Sequence, residues 1–469
     1  MTCSTRGRPS PRFPSAGYQS TTDSPFEEDR ALRKLGSRTA RLGVLAGVLA
    51  GALATTTNAA VAAPGTPAPG RDAPAPLLAG SAEAAPDRYI VVLDDKPVSG
   101  ERTARLARTD QSAAVAERAG GTVLNRYTQV LDGYAAVLPP AALAAVRNDP
   151  AVQYVERDTR IEGGLTGTTP DRTGPTTARA ERAQAGGVSI QAVQSNPPSW
   201  GLDRIDQRNL PLSNSFGYTS TGSGVTAYIV DSGIRATHVD FGTRAAGVYD
   251  AVGDGNGTND CHGHGTHVAG TIGGTTYGVA KSVTLRAVRV LQCDNSGWST
   301  DLIEGVDWLA TNHATVSVAN FSLQGYGTSA NTSIENLIDH GVYPVFIANN
   351  FNTDACTNGP RSSRGITVAA TDINDNRASF SSYGTCVDIF APGVDITSAG
   401  IASNTAVASG WSGTSMAAPH VTGWLARYRQ TNPTATLATA KSALITAATT
   451  GKVVNPGTGS PNRLLYAAP

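Results

Sequence analysis

The chain has 469 residues, 37 basic and 37 acidic side chains, and a formal net charge of zero. Nothing in that balance suggests a nucleic-acid or other polyanion partner, which would want a basic surface. Charged residues make up only 16%, too few for a disordered chain, and 51 glycines with 27 prolines predict many turns in a compact protein of two or three domains.

Arg30, Arg33, Lys34, Arg38 and Arg41 precede an apolar run from Leu42 to Ala54. Thirteen residues fall short of the ~20 that cross a bilayer. With small residues at Ala60 and Ala62, the stretch reads as an export signal over 1–63 with a long basic region, cut near Ala62 or Ala63. Residues 64–86 have the Pro/Ala/Gly composition of a linker. No membrane partner is expected once the signal is removed, and the product is expected outside the cell.

The texture changes at Asp87. "DRYIVVLDD", "VLDGYAAVLP" and "AVQYVERD" read as strands, and "QSAAVAERAG" as a helix closed by glycine. These make a small α+β unit over 87–158. A Gly/Thr/Arg-rich stretch, 159–190, separates it from a main domain over 191–469. There "VTAYIV", "TLRAVRV", a stretch near 316–319 and Val342–Ile347 read as strands. Between them lie helical runs: "HGTHVAGTIGG", a helix burying Leu302, Ile303, Val306, Leu309 and Ala310 and capped by Ser299 or Thr300, and one over Ile334, Leu337 and Ile338. The alternation predicts an α/β fold, a parallel sheet with helices on both faces, whose sites lie at the carboxyl ends of its strands.

Four elements carry chemistry. Asp231 directly follows the strand "VTAYIV". His264 lies between Gly263 and Gly265, which let the backbone crowd into a helix start. Ser415 stands in "SGTSMAAPH" at another helix start, where free N–H groups favour negative charge on an attacked carbonyl oxygen. Asn350, after a buried-looking strand, offers an amide to the same oxygen. The logic is that of an activated serine: His264 takes the hydroxyl proton and Asp231 holds the ring. His262, His264 and His267 also fit a zinc-like spacing, but Thr266 stands where that pattern expects an acid, and no second ligand cluster follows. Four cysteines, Cys261, Cys293, Cys356 and Cys386, suggest two disulfides in an exported chain, with three pairings open.

"VDSGI", "GHGTHVAG" and "SGTSMAAPH", in this order, resemble the subtilases, and within them the proteinase K-like and aqualysin-type secreted bacterial group. The resemblance runs from about residue 87 to 469. It implies a subtilisin-like doubly wound sheet preceded by a ferredoxin-like propeptide that serves as intramolecular inhibitor and folding chaperone. The activity implied is a serine endopeptidase acting on proteins and peptides, made as a self-processed zymogen and needing no cofactor for catalysis; separately, a monomer is expected. Ser296, Gly297 and Trp298 on one wall, Ser322, Leu323 and Gln324 on the other, and Ala348 with Asn349 would bind substrate. The pairings implied are Cys261–Cys293 and Cys356–Cys386. Structural calcium is implied at Asp388 with the carbonyls of Ser363 and Gly365, and at Asp203, Asp206 and Gln207. Maturation is expected within 159–198, near Ile190 to Val193.

The chain departs from this group in several places. Asn349 stands where glycine is usual, Gln324 replaces a glycine of the wall, Ile347 replaces a smaller residue, and Phe351 a polar one. Asparagine tolerates a left-handed backbone, so the turn at Asn349 is expected to survive. The added bulk predicts a narrower pocket for the residue before the cut bond. It also opens a second reading, a non-catalytic or weakly active relative.

Overall fold

The computed structural model describes residues 73–80, 83–94, 102–166, 192–358 and 362–467. The export signal and most of 159–191 lie outside them.

The N-terminal lobe contains β1 (Leu77–Leu78), β2 (Ala84–Leu93), α1 (Arg102–Arg118), β3 (Thr122–Tyr127), β4 (Gly133–Val137), α2 (Pro140–Arg147) and β5 (Val152–Gly163). Its strands pair in the order β1-β5-β2-β4-β3. Side chains alternate along β2: Tyr89, Val91 and Leu93 face the lobe's own helices, while Ile90 and Val92 join a core shared with the main lobe. The lobe begins before Asp87, with Ala75 buried in its core, and β5 continues past Asp158 to Gly163. The boundaries read from the sequence, 87 and 158, are therefore too tight at both ends. The Pro/Ala/Gly composition of 64–86 looks like linker, yet Leu77–Leu78 supply an edge strand.

The main lobe follows with β6 (Ala192–Ser195), α3 (Trp200–Ile205), β7 (Ser215–Tyr218), β8 (Thr226–Asp231), β9 (Ala245–Asp250), α4 (His264–Gly273), β10 (Thr284–Arg289), β11 (Ser296–Trp298), α5 (Ser299–Asn312), β12 (Ser317–Phe321), β13 (Leu323–Gln324), α6 (Thr328–Leu337), β14 (Val342–Ile347), α7 (Ala355–Asn358), β15 (Ile366–Thr371), β16 (Ile389–Pro392), β17 (Ile396–Ala399), β18 (Val407–Trp411), α8 (Thr414–Thr431), α9 (Leu437–Ala447), β19 (Thr449–Thr450) and β20 (Arg463–Leu464). Nine strands form one sheet in the order β19-β20-β16-β15-β14-β12-β8-β10-β9. Its pairs are parallel except β19 with β20.

Both faces of this sheet are covered, as parallel sheets require. On β8, Ala227 and Ile229 face a core built with α4 and α8, while Tyr228 and Val230 face one built with α5 and α6. The apolar face read for α5 is buried as expected. Its cap is not. Neither Ser299 nor Thr300 caps the helix; instead Asp158 of the N-terminal lobe accepts from Thr300 N (3.1 Å) and Thr300 Oγ1 (2.9 Å). Glu156 does the same for α6, accepting from Thr328 N and Ser329 N, both at 2.7 Å. A carboxylate at each helix start satisfies orphan N–H groups and meets the positive dipole end.

Disulfides join Cys261 to Cys293 and Cys356 to Cys386. These are the pairings that the resemblance implies. Each closes a loop of about 30 residues, which contributes about 3–4 kcal/mol through the unfolded chain. Among the described residues no helix is long and apolar enough to cross a membrane.

Candidate active site

β8 ends at Asp231, on the carboxyl rim of the large sheet. His264 opens α4 directly beside it, with Nδ1 2.7 Å from Asp231 Oδ1 and both side chains fully buried. Glycine makes the approach possible. Gly263 has φ 108°, and a Cβ on Gly265 would lie 2.1 Å from the Gly233 carbonyl oxygen. Ser232 N also donates to Asp231 Oδ1. The carboxylate is thus held on the ring nitrogen, which fixes Nδ1 as the protonated one and leaves Nε2 as acceptor.

Asp260, unassigned in the sequence reading, holds this helix start together. It accepts from the backbone of His262, Gly263 and Thr266 and from the hydroxyls of Thr266 and Ser232. Burial pushes its carboxyl up, opposed by these donors. Little in the sequence signals it, because Asp260 stands three residues before the N-cap position, Gly263, where a capping side chain is normally sought.

The other two histidines of the motif pack beside Trp411. His267 stacks on Trp411 at 4.7 Å, with interplanar angle 5°, and its Nε2 meets the Ile396 carbonyl. Burial lowers its pKa to about 3, so the ring stays neutral. His262 is half-buried beside the same Trp411.

α8 packs against α4 and places Ser415 in its first turn. Pro419 removes the N–H that would reach the Ser415 carbonyl, and Ser322 Oγ donates to that oxygen instead (3.1 Å). The Ser322 hydroxyl is in turn held by Asn320, which accepts from Thr422. The Ser415 hydroxyl donates to the Ser322 carbonyl at 3.1 Å, and His264 Nε2 is buried without a partner. The hydrogen bond expected between them is therefore not made here. The Ser322 carbonyl offers the hydroxyl another acceptor, which it must leave to reach His264 Nε2.

Asn349 adopts φ 74°, the left-handed turn expected of it. This turn presents Asn350, whose Oδ1 accepts from both Thr414 N and Thr414 Oγ1 at 2.8 Å. The amide is thereby oriented, with Nδ2 aimed into the cleft, where it donates to the Gly164 carbonyl at 2.8 Å. Thr414 carries no signal in the sequence, because its role depends on the turn that faces it.

The cleft is filled by the end of the N-terminal lobe. β5 pairs antiparallel with both walls: Ser296, Gly297 and Trp298 oppose Glu162, Ile161 and Arg160, while Leu323 and Gln324 oppose Gly163 and Glu162. Gly163 N donates to Asn295, Gly164 N to the Ser322 carbonyl, and Thr166 N to the Ser412 carbonyl. A Cβ on Gly164 would lie 2.7 Å from Ser415 Oγ and 2.6 Å from Ile347 Cδ1. Ala348 is fully buried after β14, with its N–H on the Val368 carbonyl. Phe351, expected to add bulk here, is 49% exposed and fills no pocket.

The calcium expected at Asp388 does not fit. Lys441 Nζ already lies 2.8 Å from Asp388 Oδ2, 2.7 Å from the Gly365 carbonyl and 3.3 Å from the Ser363 carbonyl. The three oxygens expected to hold a divalent ion hold an ammonium tethered to α9. At the second place, Asp203 accepts from Ser213 N, Ser213 Oγ and Asn214 N, and Asp206 Oδ2 from Gly217 N. Gln207 Nε2 donates to the Pro211 carbonyl. Asp206 Oδ1 is buried with no partner, an oxygen that a cation would satisfy. Among the described residues there is no group of three or more metal-ligating side chains.

Comparison with known proteins bears on both lobes. The model of the subtilase family matches residues 222–464, and that of the peptidase inhibitor I9 family matches 88–162. An "Extracellular serine proteinase" of Thermus sp. (strain Rt41A) is 46% identical over 84% of this chain and 92% of its own. "Alkaline serine exoprotease A" of Vibrio alginolyticus is 40% identical over 83% of this chain and 69% of its own. Among solved structures, a cold adapted subtilisin-like serine proteinase aligns with TM-score 0.56 and 46% identity, over 58% of this chain and 98% of that one. Fervidolysin from Fervidobacterium pennivorans, at 20% identity and TM-score 0.62, shares the fold over 84% of this chain and 62% of its own.

Proposed function

The chain belongs to the subtilase family and is a serine endopeptidase made with an inhibitory propeptide, and we propose that Asp231, His264 and Ser415 carry its hydrolysis while the end of the N-terminal lobe, residues 160–164, blocks the cleft. Ser415 Oγ attacks the substrate carbonyl as His264 Nε2 takes its proton. Asp231 holds the ring in the tautomer that leaves Nε2 free and stabilises the imidazolium. Asn350 Nδ2 donates to the developing oxyanion, with the N-terminal end of α8 beside it. Substrate lies as β5 does, an extended strand between Ser296–Trp298 and Ser322–Gln324.

The observation that carries this reading is the Gly164 carbonyl on Asn350 Nδ2, in the residue on which a Cβ would lie 2.7 Å from Ser415 Oγ. The same geometry speaks against a non-catalytic relative, because Asn349 keeps the turn and Thr414 keeps the amide aimed. The test compares the full chain with Ser415→Ala. The native chain is expected to shorten itself, hydrolyse casein and react with a fluorophosphonate. The variant should do none of these. If both stay full length and unlabelled, the reading fails.

Export is supported by the basic and apolar pattern over 1–63 and by the relative named extracellular. N-terminal sequencing of the product found outside the cell tests it. A structural calcium ion is proposed only at Asp203, Asp206 and Gln207, on the unpartnered Asp206 Oδ1. It would brace the start of the main lobe and take no part in the reaction.

A further inference from the structure

We infer that the first bond this enzyme cuts in its own chain is Gly164–Leu165, and that Ile347 restricts the residue before the cut to glycine or alanine. The inference rests on the endopeptidase reading and names its first substrate bond.

The register fixes the bond. Glu162 and Gly163 are paired with both walls of the cleft, so the next carbonyl along the strand belongs to Gly164. That carbonyl is the one on Asn350 Nδ2, and the N–H of the same residue is on the Ser322 carbonyl. Beyond it the chain is held again. Thr166 N and Thr166 Oγ1 both donate to the Ser412 carbonyl at 3.0 Å, and Leu165 packs on the core of α4 and α8. The Gly164–Leu165 peptide is therefore clamped from both sides, with Ser415 Oγ against Gly164.

The pocket explains why this residue is glycine. A Cβ there would stand 2.6 Å from Ile347 Cδ1, 2.7 Å from Ser415 Oγ and 3.2 Å from Asn350 Nδ2. Ile347 ends β14, is fully buried and reaches the cleft with its terminal methyl group. An alanine needs that methyl to swing aside. A phenylalanine needs space that Ile347 occupies. Gly413 completes the fit, since a Cβ on it would lie 2.4 Å from the Gly164 carbonyl oxygen.

In the step itself, the Ser415 Oγ–carbon bond forms at the Gly164 carbonyl as the hydroxyl proton passes to His264 Nε2. The carbon–nitrogen bond to Leu165 then breaks and the nitrogen receives that proton. Water hydrolyses the ester, releasing residues up to Gly164 with a free carboxylate. The sequence places maturation near Ile190 to Val193; a terminus there then comes from a second cut, after the one at Gly164.

The test follows early products of the full chain by intact mass, in the native protein, Gly164→Phe, and Gly164→Phe combined with Ile347→Ala. The native fragment is expected to end at Gly164. Gly164→Phe should slow that cut by roughly 10²-fold, the scale of a misplaced reacting carbon, and Ile347→Ala should restore most of it. Because a Gly164 variant can misfold, mature native enzyme is also given peptides with Gly, Ala or Phe before the cut. Gly and Ala are expected to lead in kcat/KM, and Ile347→Ala to raise Phe. An active native chain whose first fragment ends elsewhere, or fast cleavage after Phe, overturns the inference and leaves the endopeptidase reading intact. A native chain with neither self-cutting nor casein hydrolysis overturns both.

Discussion

Lys441 sets its ammonium 2.8 Å from the Asp388 carboxylate and 2.7 Å from the Gly365 carbonyl, where the family resemblance implies a calcium ion. Three N–H groups meet three oxygens, and the tether to α9 lowers the entropic cost of holding a cation there. Lys441→Met leaves a largely buried carboxylate without its partner. It is expected to cost about 2–4 kcal/mol, read as a lower Tm without calcium. Millimolar calcium should then recover part of that loss in the variant by entering the vacated oxygens. If calcium does not raise the Tm of Lys441→Met above that of the native protein's own response, the ammonium is not standing in for an ion.

Glu156 and Asp158 hold the N-terminal lobe to the main lobe through the starts of α6 and α5. Each carboxylate satisfies two donors, so replacement by alanine should weaken the contact by about 1–2 kcal/mol. Arg88, 3.0 Å from Asp158, would also lose the nearer of its two carboxylate partners, keeping Asp301 at 3.8 Å. The full-length Glu156→Ala and Asp158→Ala chains are expected to show casein activity earlier after self-cleavage, because the severed lobe leaves sooner, and to give less folded enzyme. Unchanged lag and yield would mean that the caps contribute nothing to docking.

Much of this was legible in the sequence because it is local. The alternation in β2 and β8, the apolar face of α5, and the glycines around His264 each follow from spacing within one element. The left-handed turn at Asn349 follows from the glycine that the family resemblance implies there and from asparagine's tolerance of that backbone. What was missed depends on partners far along the chain. Asp158 caps a helix through Thr300, 142 residues later, and Lys441 reaches oxygens at 363, 365 and 388. The bond before Leu165 was not legible either. Nothing in "EGGLT" marks it until β5 is seen in register between the two walls.

Thr414 acts on the reaction through Asn350. Its N–H and hydroxyl both donate to Asn350 Oδ1, so the amide can turn only one way. Asn350→Ala removes the donor to the oxyanion and is expected to lower kcat by ~10²–10³ with little change in KM. Thr414→Val keeps the backbone N–H and removes one of the two anchors. A smaller loss is expected, roughly tenfold in kcat, with Thr414→Ser restoring it. Equal losses in stability and kcat, or no rescue by serine, would show a merely structural role.

His267 and His420 make the protein sensitive to acid. Burial lowers their pKa values to about 3 and about 4, whereas an unfolded chain protonates them near 6.5. Between those values the unfolded state binds more protons than the native one. These two rings therefore draw stability down as pH falls from 6.5 toward 4, by up to about 1.4 kcal/mol per pH unit for each, while Asp206 and Asp301, whose carboxyls burial pushes up to about 6 and about 7, act in the opposite direction. The native contacts leave neither ring room to accommodate charge: His267 lies flat on Trp411, and a Cβ on Gly201 would stand 2.5 Å from His420 Nε2. Denaturation of the inactive Ser415→Ala chain between pH 4 and 7 measures the slope without self-digestion. His420→Gln should make it shallower by one proton across that range, even if its stability at pH 7 is lower. A slope that does not change when His420 is removed would mean that this ring titrates alike in the folded and unfolded chain.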